Sequence, residues 1–109
     1  MITANFFYNN SQKVHAFELT EHAYAGEPGE DLVCAAVSAI TFGLTNAILS
    51  LDESELEVQQ EDGGYLSVKN IPGSEAAQTL LYGMIISLNT IEESDDNFRY
   101  ITVIENDKQ

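Results

Sequence analysis

Hydrophobic residues along this chain first alternate with polar ones and then recur at helical spacing, and the exchange happens twice. In "MITANFFYN" the residues Ile2, Ala4, Phe6 and Tyr8 fall on one side at a period of two, which predicts a strand. "NNSQ" at 9–12 is turn chemistry, and "KVHAFELT" predicts a second strand with His15, Phe17 and Leu19 on one side. The two runs read as a hairpin, with His15 as a structural or surface residue. From 31 to about 51, Val33, Val37, Ile40, Leu44, Ala47, Ile48 and Leu51 recur at helical spacing and predict a long helix.

Strand signals return in "ELEVQQEDGGYLSVKN". Leu56 and Val58 precede "DGG", and Leu66 and Val68 follow it, as in a hairpin with a glycine turn. Pro72, Gly73 and a Ser74 suited to N-capping then open a second amphipathic helix carrying Ala77, Leu80, Leu81, Met84, Leu88 and Ile91. "EESDD" ends that helix as a solvated acidic loop, and "FRYITVIE" predicts a last strand. The order ββαββαβ predicts an α+β fold of two layers: two helices packed on one face of a largely antiparallel five-stranded sheet. Residues 1–109 read as one domain, large enough for a hydrophobic core without disulfides or metal. Gly43 and Gly83 fall mid-helix, where glycine costs about 1 kcal/mol relative to alanine. A close helix contact at each would account for them.

Composition narrows the setting. An apolar content of 44% is that of an ordinary globular protein, and one cysteine cannot form an internal disulfide. "MITANFFYNN" lacks the positive and apolar regions of a signal peptide. The stretch from Leu32 to Leu49 carries no charge and is about as long as a short membrane span. It nevertheless contains Ser38, Thr41, Gly43, Thr45 and Asn46, and its flanks are acidic where membrane helices have basic ones. A soluble amphipathic helix and a cytoplasmic location are therefore expected. The balance of 4 Lys and Arg against 18 Asp and Glu gives a net charge of −14. Such a surface repels nucleic-acid phosphates and anionic lipid and attracts basic partners, although the acids can also serve solubility alone.

The candidate chemistry lies in "EHAYAGEPGEDLVCAAVSAI", residues 21–40, which holds His22 and the only cysteine, Cys34. With Asp31 as N-cap, Cys34 falls in the first helical turn, where unpaired backbone N–H groups and the helix dipole stabilise a thiolate. A nearby imidazole can act as general base or as the cation of an ion pair. Glu21, Glu27, Glu30 and Asp31 work against the thiolate by their charge. Asp31 either caps the helix or orients His22. Asp31, Cys34 and Ser38 follow i, i+3, i+7 spacing and share a helix face. Ser38 there either lines a pocket floor or bonds a backbone carbonyl one turn earlier. Gly26, Pro28 and Gly29 make the intervening loop either one that closes over a substrate or a plain connector. By residue types alone, a lone cysteine next to Ala35 and Ala36 is more often a small buried hydrophobe than a nucleophile. His22, Asp31 and Cys34 lack the spacing of a closed zinc site, and no metal or other cofactor is expected.

The order of residues in this segment resembles the signature of the Prp, or YsxB-like, family of bacterial ribosomal-processing cysteine proteases. The matching positions are His22, Ala23, Gly29, Asp31, Val33, Cys34, Ala35 and Ser38. "FGLTNAI" in the first helix, the glycine hairpin turn and "ISLNTIEE" extend the likeness. One departure is Glu21, where the family carries glycine before the histidine. A residue there is strained if that glycine needs a positive φ, and otherwise its carboxylate can attract a basic residue of the substrate. The resemblance implies an endopeptidase that removes the N-terminal extension of a large-subunit ribosomal protein whose tail reaches toward the peptidyl-transferase centre. It implies Cys34 as nucleophile, His22 as general base, Asp31 and Ser38 in support, helix N-terminal amides including that of Cys34 as oxyanion donors, and a homodimer. The partner so implied is a basic ribosomal protein precursor. Two other readings are a non-catalytic acidic adaptor for basic ribosomal proteins, with Cys34 inert, and a one-cysteine redox sensor.

Overall fold

A computed structural model describes residues 1–21, 30–52, 55–61, 65–94 and 100–109, without the side chains of Glu30 and Asp31. The chain runs β1 (Ile2–Tyr8), β2 (Val14–Glu21), α1 (Glu30–Leu51), β3 (Glu57–Glu61), β4 (Tyr65–Lys69), α2 (Glu75–Glu93) and β5 (Ile101–Asn106). The strands form a five-stranded sheet in the order β3-β4-β2-β1-β5. All neighbours are antiparallel except β1 and β5, which run parallel. The α+β architecture and the ββαββαβ order are those expected from the hydrophobic pattern. "EHAYAGEPG" beyond Glu21, the "DGG" turn and most of the acidic "EESDDNFR" segment lie outside the described residues.

The first hairpin departs from simple alternation. Asn9 organises its turn, its side-chain oxygen accepting from the backbone N–H groups of Ser11 at 2.9 Å and Lys13 at 3.1 Å. Phe7 pairs with Ala16 but Tyr8 pairs with Val14, so His15 is an extra residue in β2. This bulge reverses the facing of the strand. Val14, Phe17 and Leu19 are buried, while His15 is exposed rather than on the face of Phe17 and Leu19. It is a surface residue, as expected, and its carbonyl accepts from the Ile71 N–H at 3.0 Å.

The core lies between the sheet and the helices. Ala4, Phe6, Phe17, Leu66 and Val68 face Leu81, Met84 and Leu88 of α2 and Val33, Val37 and Ile48 of α1. Phe6 and Phe17 stack across β1 and β2 with ring centroids 5.5 Å apart. Ser74 caps α2 as expected, accepting from the Ala77 N–H at 3.2 Å.

The buried stripe of α1 differs from its apolar pattern. Thr41 and Thr45 are buried while Leu51 is 69% exposed. Each threonine satisfies its hydroxyl within the helix, Thr41 donating to the Val37 carbonyl at 2.9 Å and Thr45 to the Thr41 carbonyl at 2.6 Å. Their methyl groups can therefore be buried with no polar atom stranded. By length and composition α1 would suffice to cross a membrane, and its buried side chains are those turned to the core. Gly43 and Gly83 are exposed, and a Cβ built on either would meet nothing within 4 Å. Among the described residues no close helix contact accounts for them. β3 is an edge strand with every residue exposed, including Val58, since neither helix reaches across to cover it. Glu57 and Glu61 place charge along that edge, a feature that discourages pairing with another chain.

Candidate active site

The end of β2 and the beginning of α1 meet at one end of the core. Glu21 closes β2 in register with Ile2 of β1, so its backbone is held in the sheet. It is absent from the residues with positive φ, so the replacement of the family glycine by glutamate carries no such strain here. Across from it, Val33 and Val37 anchor α1 to the core. Cys34, next to Val33 and one turn before Ser38, falls at the rim of that contact and is half-buried.

Among the described residues, two features stand around the thiol. The Cys34 Sγ donates a hydrogen bond to Glu21 Oε1 at 2.8 Å. It also lines a cavity of about 280 Å³. One wall of this cavity is the helix face carrying Cys34, Ser38 and Phe42. The opposite wall is the tip of the β3–β4 hairpin, with Gln60, Glu61 and Tyr65, and Leu19 and Leu66 form an apolar base. The Ser38 hydroxyl makes no hydrogen bond among the described residues, while its carbonyl accepts from the Thr41 hydroxyl at 3.4 Å. It therefore follows the pocket-lining reading and not the alternative of a bond to the preceding turn.

α1 starts at Glu30, two residues earlier than the N-cap reading of Asp31 requires. Asp31 is thus inside the helix, and Cys34 is its fifth residue. In an α-helix the N–H of the fifth residue bonds the carbonyl of the first. The Cys34 amide is accordingly engaged by Glu30 and is not a free oxyanion donor; unpaired N–H groups occur only before it. Cys34 remains close enough to the helix start to feel the positive end of the dipole. His22, Gly26 and Gly29 lie outside the described residues, as does the side chain of Asp31. The structure therefore brings together Cys34, Ser38 and Glu21.

Sequence reasoning missed Gln60, Glu61 and Tyr65. They read only as hairpin positions, and nothing in their spacing announces that the hairpin tip faces α1. Glu21 stood out only as a departure from the family pattern, and its contact with the thiol is a product of the fold.

The chain matches the cysteine protease Prp family over residues 1–101. It belongs to the Prp cysteine protease family. A ribosomal processing cysteine protease Prp from Bacillus subtilis strain 168 is 42% identical over 113 residues, covering 95% of this chain and 99% of the relative. The S. aureus ribosomal processing protease Prp, solved in complex with a substrate peptide, superposes with a TM-score of 0.88. It is 33% identical, over 97% of this chain and 100% of the other. The same S. aureus protease with a covalently linked product peptide superposes at 0.84 with 34% identity, over 97% of this chain and 100% of the other. Membership of the Prp family makes this chain a cysteine protease. It also sets the frame in which the Cys34 cavity is to be understood.

Proposed function

We propose that this Prp-family protease removes the N-terminal extension of a bacterial large-subunit ribosomal protein, with Cys34 as nucleophile and His22 as general base. The observation that carries the proposal is the position of Cys34 near the start of α1, with its sulfur lining a cavity large enough to admit a substrate side chain. The thiolate adds to the scissile carbonyl. The C–N bond then breaks as the imidazolium of His22 gives its proton to the leaving amine. Water, deprotonated by His22, hydrolyses the thioester and returns the thiol. Ser38 lines the cavity below the sulfur, and Asp31 supports the site from the first turn. Oxyanion donors come from backbone N–H groups before Cys34, since its own amide is engaged within the helix.

Charge supports the choice of substrate. A net −14 steers a basic precursor toward the enzyme and away from RNA-bound states, so cleavage falls on the unassembled protein in the cytoplasm. Steering of this kind weakens as salt rises. We assign the working form as a homodimer that uses neither nucleic acid nor membrane.

The contact between Cys34 and Glu21 bears on whether Cys34 is the nucleophile or an inert thiol, because a carboxylate at 2.8 Å disfavours a thiolate. Iodoacetamide alkylation of Cys34 against pH, in wild type and His22→Ala, separates the two. Protease chemistry predicts alkylation whose pH midpoint moves when the imidazole is removed. A thiol that stays unreactive even at alkaline pH, or a midpoint indifferent to His22, contradicts it.

A further inference from the structure

Glu21, where the resemblance implies a glycine, is the carboxylate drawn up to the Cys34 sulfur. The side chain spans from the end of β2 to α1, and its oxygen receives the S–H of Cys34 at 2.8 Å. Its backbone is fixed by pairing with Ile2. Leaving the sulfur therefore needs only side-chain rotation, with no disturbance of the sheet.

The direction of the effect follows from charge. An ionised carboxylate only accepts, so the sulfur in this pair carries its proton. Were the thiol to ionise, two negative groups would stand in contact in a half-buried site, where their repulsion is poorly screened. Among the described residues, the other titratable groups lining the cavity are Glu61 of β3 and Tyr65 of β4. Glu61 adds to the same repulsion and a neutral Tyr65 does not oppose it. Among these described residues Glu21 is the one in hydrogen-bond contact with the sulfur.

We infer that Glu21 is a positioning residue that holds the Cys34 thiol protonated in the free enzyme, so that catalysis requires its carboxylate to swing away from the sulfur. Substrate entering the cavity displaces the side chain, because the carboxylate and a substrate carbonyl cannot occupy the same contact with the sulfur. The proton on sulfur then passes to the general base, and the thiolate attacks. No oxidant or further reactant is involved. The inference rests on Cys34 being the nucleophile, but its central consequence concerns the free protein and can be measured without any substrate.

The test is the pH profile of Cys34 alkylation by iodoacetamide in wild type, Glu21→Gln and Glu21→Gly. The reagent is uncharged, so removing a carboxylate does not change its approach. Glu21→Gln keeps the shape of the side chain, and Glu21→Gly restores the residue of the family pattern. Both variants should show a midpoint lowered by about one pH unit, and alkylation at pH 7 faster by about tenfold. A merely structural role would change the melting temperature and leave the midpoint in place. An unchanged or raised midpoint in Glu21→Gln overturns the inference. Should no variant cleave a ribosomal precursor, the proposed substrate fails while the alkylation result still decides the role of Glu21.

Discussion

The side-chain amide of Gln78, on α2, takes both backbone groups of Val14. Its oxygen accepts from the Val14 N–H at 2.9 Å, and its nitrogen donates to the Val14 carbonyl at 2.8 Å. Beyond the bulge at His15 the pairing of β2 with β4 covers only Phe17 to Leu19, so Val14 receives from a helix what a neighbouring strand would otherwise give. The same nitrogen lies 3.1 Å from the Pro72 carbonyl, joining the hairpin to the start of α2. Replacing Gln78 by alanine leaves a part-buried donor and acceptor unpaired. It should destabilise the fold by about 2 kcal/mol, measured by urea unfolding.

A second prediction concerns alkaline pH. The Tyr8 hydroxyl donates to Glu105 Oε1 at 2.5 Å, joining β1 to the neighbouring parallel strand β5. Burial, then this hydrogen bond, then the charge of Glu105 raise the phenol well above its ordinary value. A group raised in the folded state contributes stability that is complete below its unfolded value, near pH 10, and is lost as pH climbs past it. Unfolding free energy should therefore decline above about pH 10 in wild type, and less steeply in Tyr8→Phe. Parallel declines in the two proteins would contradict the assignment.

Helical glycines offer a third. Gly43 and Gly83 face open space, so a methyl group meets no obstacle at either position. Gly43→Ala and Gly83→Ala should each stabilise the protein by roughly 0.5–1 kcal/mol, through lower backbone entropy in the unfolded chain. Thermal melts of the single and double variants check both the sign and the additivity. A destabilised single variant would mean that the helix needs a conformation alanine resists.

Most of the architecture was legible because the chain keeps two clean periods, two residues in strands and 3.6 in helices. Ser74 was legible for a local reason, since a cap bonds its own helix. The errors came where tertiary structure overrides the pattern. A single extra residue at His15 reverses the facing of β2, and no composition signal marks it. Thr41 and Thr45 look polar yet are buried, because each hydroxyl is satisfied inside the helix. Leu51 looks apolar yet is exposed at the last turn, where the core has ended. The site divides in the same way. Cys34 and Ser38 were legible from helical spacing together with the resemblance, but the far wall of their cavity comes from a hairpin tens of residues away. The contact of Glu21 with the thiol depends on how β2 and α1 are juxtaposed, which neither period encodes.

The central claim is that Cys34 is the nucleophile of a protease acting on a ribosomal protein precursor. Its most direct test is incubation of the purified protein with a full-length precursor, beside Cys34→Ala, followed by intact-mass analysis. The account predicts one cut that removes the N-terminal extension with wild type and no detectable cut with Cys34→Ala. An uncut precursor with wild type, or equal cleavage by both proteins, would contradict it.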